Sequence, residues 1–282
     1  VGVKASGSKL IRFAHNDLSD LENKILKYTS NHNSIIVIVE SLYSMEGSIA
    51  PIKEITEICK KYNLELIVDE AHAIGVLGPE GKGLAYNLCD ELDQSALQCK
   101  SVNTILTESG KLIGHSTDGQ GLIDDFSHKG ITLGDSKILI LGAGGSAASI
   151  ISSLLLHGKI KEISILNRTK SNALRLLDLF ETNRLLMHEE GDEYDIVINT
   201  TPISMNVDDI ILPPELIINK PICYDLFYDK EKTLFQKWAE KNEPRGNFDG
   251  LGMLIHQAKH SFKIWNNLSP DIGGLEELLR RN

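Results

Sequence analysis

The residues best suited to chemistry stand in a glycine-rich stretch at the middle of the chain. Gly142, Gly144 and Ala147 fill a G-x-G-x-x-A pattern, with Gly145 and Ser146 inside it. The pattern follows the apolar run 137–141 directly and opens into a helical stretch that reaches about Leu156. A dinucleotide pyrophosphate needs that context: a tight turn, a backbone bare enough to approach, and helix N-terminal N–H groups aimed at the anion. Glycines also gather in turns for purely structural reasons; the strand before and the helix after favour the binding reading here. At the end of the next strand, an NAD site places a carboxylate that accepts from the ribose 2′-hydroxyl. This chain has Asn167, Arg168, Thr169 and Lys170 instead. Arg168 can hold a phosphate through two charge-assisted hydrogen bonds and Lys170 adds a point charge, so NADP is the expected cofactor. The alternative for Arg168 is an ordinary solvated side chain.

Alternating strands and helices must position these residues. Residues 35–39 form a continuous β-branched run that reads as a strand buried on both faces. Ile52, Ile55, Ile58 and Cys59 recur at helical spacing, Asn63 stops them, and residues 64–68 make a second strand. Strand, helix and strand form one βαβ unit. Asp17 or Ser19 is placed to cap an earlier helix ending near Tyr28. The pattern further predicts a helix over 84–98, strands over 102–107 and 112–114 about a Ser109-Gly110 turn, and a helix leading to Ser127. Residues 130–136 are short and polar and read as a hinge. Strands follow at 163–166, 194–199 and 222–225, with helices at 171–180, 250–265 and 275–280. The expected fold class is α/β: a doubly wound (Rossmann) NADP-binding domain plus a smaller α/β substrate-side domain.

Composition narrows the function classes. Against 39 acidic residues the 282-residue chain has only 29 basic ones and a net charge of −10, with no Lys/Arg-rich run, which disfavours nucleic acid as a partner. Its apolar runs fall far short of a membrane span. Cys59, Cys89, Cys99 and Cys223 form no CxxC pair and have no histidine cluster at ligand spacing, so neither a disulfide framework nor a metal site is expected. Cytoplasmic location, a small-molecule substrate and a monomer or homodimer complete the expectation.

Several short motifs, in one unbroken order from about residue 84 to 270, resemble shikimate dehydrogenase. They are Asp90-Glu91-Leu92, Ser101-Val102-Asn103-Thr104, Ser116-Thr117-Asp118-Gly119, the glycine loop, Asn167-Arg168-Thr169, Asn199-Thr200-Thr201, the run from Cys223 to Tyr228, and Asp249-Gly250-Leu251-Gly252-Met253-Leu254 with Gln257. The resemblance implies NADP-linked oxidation of a shikimate ring hydroxyl to the ketone, or the reverse, in aromatic biosynthesis. It places Asp118 in the acid/base pair that such proton transfer needs, Asn103, Thr117, Tyr228 and Gln257 on the substrate side, Thr200 on the cofactor side, and Gly250 near the nicotinamide. Taken alone, an Asp before Gly reads more simply as a turn residue. The family's second phosphate-binding arginine is Asn172 here.

The first third departs from that family, since neither its Ser-x-Ser substrate loop in the family's setting nor its Val-Pro-Phe-Lys type motif is matched. His15-Asn16-Asp17-Leu18, the run from Glu40 to Gly47, Ala50-Pro51 and the run from Asp69 to Gly78 resemble the α-oxoamine synthases, pyridoxal-phosphate enzymes. In that family Asp69 would pair with the pyridinium nitrogen, His72 with the ring hydroxyl, and Ser44 would sit on the cofactor side. The Schiff-base lysine and the aromatic-stacking segment have no counterpart, so that activity is not expected. Lys82 stands 21 residues before Asn103 and 8 before Asp90, which is the spacing the dehydrogenase resemblance gives for the catalytic lysine. It either stands in as the second acid/base group or is a solvated loop lysine.

The chain therefore reads as a chimera. Residues 1–83 are an α-oxoamine-synthase-like βαβ fragment, 84–128 the remainder of a substrate domain, 129–248 the NADP-binding domain, and 249–282 C-terminal helices returning to the substrate domain. The leading expectation is a shikimate dehydrogenase-like oxidoreductase, impaired by the replaced N-terminal part. The alternatives are a non-catalytic NADP-binding protein and a pyridoxal-phosphate-dependent synthase fragment.

Overall fold

The computed structural model describes residues 8–29, 35–43, 48–69, 85–157, 159–205 and 212–281. The chain divides into two compact units, Val1–Ala73 and Ile74–Asn282.

The first unit contains α1 (Leu18–Thr29), β1 (Ile36–Glu40), α2 (Ile52–Tyr62) and β2 (Glu65–Asp69). Asp17 caps α1, its Oδ1 accepting from Asp20 N at 2.9 Å. Asn63 ends α2 in the left-handed region, with φ 54°. β1 and β2 pair in parallel, from Ile36 beside Glu65 to Glu40 beside Asp69. Leu21 and Ile25 of α1 and Ile52, Ile55 and Cys59 of α2 pack on Val37 and Val39. The expectation of a strand buried on both faces is corrected here, because Ile36 and Ile38 are each 48% exposed. Among the described residues this sheet has two strands, and the helices cover one side of it. A β-branched run does not by itself report whether its second face is covered.

In the second unit a small α/β layer comes first: α3 (Ala85–Leu88), β3 (Glu91–Leu92), α4 (Gln94–Cys99), β4 (Thr104–Glu108), β5 (Lys111–His115) and α5 (Asp118–His128). The helix expected over 84–98 is broken in two. Asp93 caps α4 by accepting from Ala96 N at 3.0 Å, and Asp90 accepts from Leu112 N at 2.8 Å, which draws β3 alongside β5. Side-chain-to-backbone bonds of this kind override helical spacing. β4 and β5 form the expected antiparallel hairpin.

The larger layer follows with β6 (Lys137–Leu141), α6 (Gly145–His157), β7 (Glu162–Leu166), α7 (Lys170–Phe180), β8 (Leu185–Met187), β9 (Ile196–Asn199), β10 (Ile222–Asp225), α8 (Leu234–Glu240), β11 (Gly246–Phe248), α9 (Leu251–Asn266) and α10 (Leu275–Arg281). Its six strands are all parallel in the order β8-β7-β6-β9-β10-β11. The chain begins at a central strand and winds outward in both directions, the doubly wound arrangement. Leu122, Phe126, Ile150, Ile151 and Met253 belong to the core that covers one face, and Val197, Ile217, Phe235 and Trp238 to the core on the other. β8, β11 and α8, of three, three and seven residues, were not read from the sequence. Residues 130–136 are no free hinge: Ile131 and Leu133 are buried in the first core.

Candidate functional site

Four of the side chains expected at the substrate site come together. Asn103 precedes β4, and Thr117 and Asp118 lie at the turn from β5 into α5. The amide of Asn103 donates to Asp118 Oδ1 at 2.6 Å and to Thr117 Oγ1 at 3.0 Å, while its own Oδ1 accepts from Thr117 N at 2.9 Å. From α9, Gln257 Oε1 accepts from Thr117 Oγ1 at 3.1 Å. Thr117 is nearly buried, at 3% exposure. A carboxylate fixed by an amide, beside a hydroxyl and a second amide, is equipped to orient a hydroxylated substrate and exchange a proton with it. Tyr228 is not drawn into this cluster. It is 44% exposed, its ring stacks on Phe227 at 6.4 Å, and it makes no hydrogen bond among the described residues.

The glycine loop lies where the doubly wound sheet requires it, between the end of β6 and the start of α6. Gly142 has φ +111°, a conformation open to glycine, and a Cβ there would strike Thr200 Oγ1. Thr200 Oγ1 itself donates to the Leu141 carbonyl at 2.8 Å, closing the turn. A side chain at Gly144 would meet nothing within 4 Å, so the backbone is bare toward solvent. The N-terminus of the thirteen-residue α6 opens at Gly145. Asn167 Nδ2 donates to the Thr169 carbonyl at 2.8 Å, shaping the turn after β7, and Arg168 and Lys170 project from it, both exposed and without ion pairs among the described residues. Bare backbone at a helix N-terminus, free cations at the next strand end and no carboxylate there fit NADP.

Sequence reading missed the link between these halves. Ser149, in the second turn of α6, accepts from Gly119 N at 3.0 Å and lies 2.9 Å from Ser116 Oγ. The helix that starts at the glycine loop therefore also holds the turn that carries Asp118. Ser261 was missed as well; it lies one turn beyond Gln257 and its Oγ is 2.7 Å from Thr104 Oγ1 and 3.2 Å from Thr117 Oγ1. The i,i+4 spacing from Gln257 was the available signal. Ser149 had none, since its partners are about thirty positions away.

Three buried carboxylates brace the surroundings. Asp125, fully buried on α5, accepts from Lys129 Nζ at 2.6 Å and Tyr224 Oη at 2.7 Å. Burial, with Asp125 alongside, raises the Tyr224 phenol well above its usual value, so it remains a donor. Asp225, at the end of β10, accepts from Ser204 Oγ at 2.5 Å, Thr233 Oγ1 at 2.6 Å, Asn199 Nδ2 at 2.8 Å and Phe227 N at 3.2 Å. Burial still raises its carboxyl above the usual range. Asp249 meets Arg280 through two bonds. Gly250 follows, donating to the Phe227 carbonyl at 3.1 Å, with no room for a Cβ against the Leu226 carbonyl.

Lys82, His72 and Ser44 lie outside the described residues. Asp69 is described; it ends β2 and is exposed. Among the described residues no three His, Cys, Asp or Glu side chains are grouped to hold a metal ion, no helix is long and apolar enough to cross a membrane, and the four cysteines are free.

Comparison with known proteins divides the chain. Residues 126–209 match the family model for shikimate / quinate 5-dehydrogenase, and residues 250–280 that for the shikimate 5'-dehydrogenase C-terminal domain. Residues 1–105 match a different one, aminotransferase class I and II, in keeping with a chain of mixed ancestry. A shikimate dehydrogenase (NADP(+)) of Shewanella halifaxensis is 34% identical over 234 residues, covering 81% of this chain and 82% of that protein. Its counterpart in Colwellia psychrerythraea is 36% identical over 203 residues, 71% and 74% of the two chains. A solved shikimate dehydrogenase in complex with NADP+ matches with a TM-score of 0.69 at 25% identity, over 86% of this chain and 93% of that one.

Proposed function

Because this chain belongs to the shikimate dehydrogenase family and is thereby an NADP-dependent oxidoreductase, we propose that it interconverts the ring hydroxyl of shikimate and the corresponding ketone, with Asp118 and Lys82 as the acid/base pair. The observation that carries this reading is the convergence of Asn103, Thr117, Asp118 and Gln257 at one point tied through Ser149 to the glycine loop. Bound NADP supplies the hydride acceptor in one direction and the hydride donor in the other. Gly142, Gly144, Gly145, Ser146 and Ala147 receive the pyrophosphate, Arg168 and Lys170 the 2′-phosphate, and Asn167, Thr169, Thr200 and Gly250 shape the remaining walls. Asp118 takes the hydroxyl proton during oxidation and returns it during reduction, directly or by tuning the lysine. Asn103 holds its carboxylate in one orientation, and Thr117, Gln257 and Tyr228 contact the other substrate hydroxyls. Four free thiols support a reducing, cytoplasmic setting.

The domain division proposed is 1–83, 84–128, 129–248 and 249–282. The replaced N-terminal part bears on affinity first: KM for shikimate is expected to be raised, because the substrate grip on that side is changed. The test is NADPH formation from shikimate by the full chain and by Asp118→Asn and Lys82→Ala. Removing a general acid/base lowers kcat by about 10²- to 10⁴-fold. Cofactor binding without any turnover in the unsubstituted chain would sink the proposal and leave a nucleotide-binding protein in its place.

A further inference from the structure

Arg280, in the C-terminal helix α10, forks onto Asp249: Nη1 donates to Oδ2 at 2.8 Å and Nη2 to Oδ1 at 2.7 Å. The carboxylate is 5% exposed and the guanidinium-bearing side chain 40%. The same Oδ1 accepts from Leu251 N at 3.2 Å, so Asp249 caps α9, whose N-cap residue Gly250 has no side chain for the purpose. Gly250 is pressed on the Leu226–Phe227 backbone, and α9 carries Gln257 to Thr117. One oxygen suffices for a cap. The second bond of the fork fixes the plane of a buried carboxylate and compensates its charge, a task that suits the rigid guanidinium.

The fork is also the end of a chain of alternating charges. Glu276, one turn earlier on α10, accepts from Arg280 Nη2 at 2.8 Å and from Lys129 Nζ at 3.5 Å, and Lys129 reaches Asp125. This series spans α10, the start of α9 and the end of α5, and leaves out the glycine loop and the Arg168 corner.

We infer that Arg280 is a positioning residue for the nicotinamide half of the cofactor, acting through Asp249 to hold Gly250, with no part in gripping the adenosine half. The inference rests on the reading above that Gly250 stands beside the nicotinamide. It is tested on the full chain with Arg280→Met and Arg280→Lys, measuring affinity for NADPH and for 2′,5′-ADP, which carries the 2′-phosphate and adenosine without a nicotinamide. Arg280→Met is expected to weaken NADPH about tenfold, the loss of one charge-assisted interaction, and to leave 2′,5′-ADP unchanged. Arg280→Lys, retaining charge without the fork, recovers part of the loss. The fork also lines a cavity of about 220 Å³, so ethylguanidinium added to Arg280→Ala reaches the vacated place and restores NADPH affinity. Equal weakening of both ligands, or weakening of neither, overturns the inference. If the unsubstituted chain binds NADPH no better than 2′,5′-ADP, the placement of the nicotinamide at Gly250 fails and the inference falls with it.

Discussion

Asn103 gives both ends of its carboxamide to the turn that starts α5, donating to Asp118 and accepting from Thr117 N. Neither Asp nor Leu can reproduce that pairing, since one lacks the donor and the other both functions. At the cofactor corner Asn167 shapes the turn, while Arg168 and Lys170 are exposed and without ion pairs among the described residues. Arg168→Ala is therefore expected to weaken NADPH by roughly 10- to 100-fold, the equivalent of a charge-assisted hydrogen bond of about 1.5–3 kcal/mol, with NADH affinity and the unfolding midpoint unchanged; fluorescence titration and urea denaturation check both. An equal effect on NADH would mean that Arg168 does not read the 2′-phosphate. At this scale the site was largely legible, because Asn103, Thr117, Asp118 and Gln257 each sit in a short motif. Ser149 was not, as its partners lie about thirty positions upstream, and for Arg280 the local i,i+4 pairing with Glu276 gives no sign of the fork onto Asp249, thirty-one positions upstream. Tyr228 sits in a motif yet stays exposed, because the motif fixes its place on the chain and leaves its side-chain orientation open.

Helices α5 and α9 carry Asp118 and Gln257, so the groups between them set how firmly the cluster is held. Replacing Asp125 by Ala would leave the buried Tyr224 hydroxyl without its acceptor and Lys129, 13% exposed, with Glu276 at 3.5 Å as its remaining carboxylate among the described residues. Breaking a buried pair in this way costs about 3–5 kcal/mol, measurable as a lowered urea midpoint. His256, on α9, responds to pH. Burial lowers its pKa from the usual 6.5, and His128 and Lys259 act in the same direction against Asp125 and Asp124. A base with a depressed folded value contributes fully above pH 6.5, and that contribution is lost as the pH falls below it toward the folded value. Stability should thus decline on mild acidification, and His256→Gln should flatten that decline; an unchanged slope would exclude His256 as its source. The end of α5, and β6 and α6, were legible within a residue or two. The broken helix before Leu92 was not, since its two interrupting aspartates act through backbone partners up to 22 residues away.

The molecule consists of two units with separate cores: Leu21, Ile25, Val37, Val39 and Ile55 in one, and the two faces of the six-stranded sheet in the other. Every residue that binds NADP in the proposed function belongs to the second. Calorimetry is expected to resolve two transitions, with NADPH at 100 times its Kd stabilising only one of them, by about 2.7 kcal/mol. A single transition that shifts as a whole would contradict this. Average composition hides the division, because both parts are acidic α/β sequence, and the change of motif set near residue 84 lies about ten positions beyond the boundary between the units. The self-contained core of the first unit has a consequence for inheritance. Genetic exchange near the end of β2 keeps α1, α2 and the strand face they cover on the same side of the join, so the packing around Val37 and Val39 is carried over as one piece. A join at that place is among the few that recombination can make without first destroying what it joins.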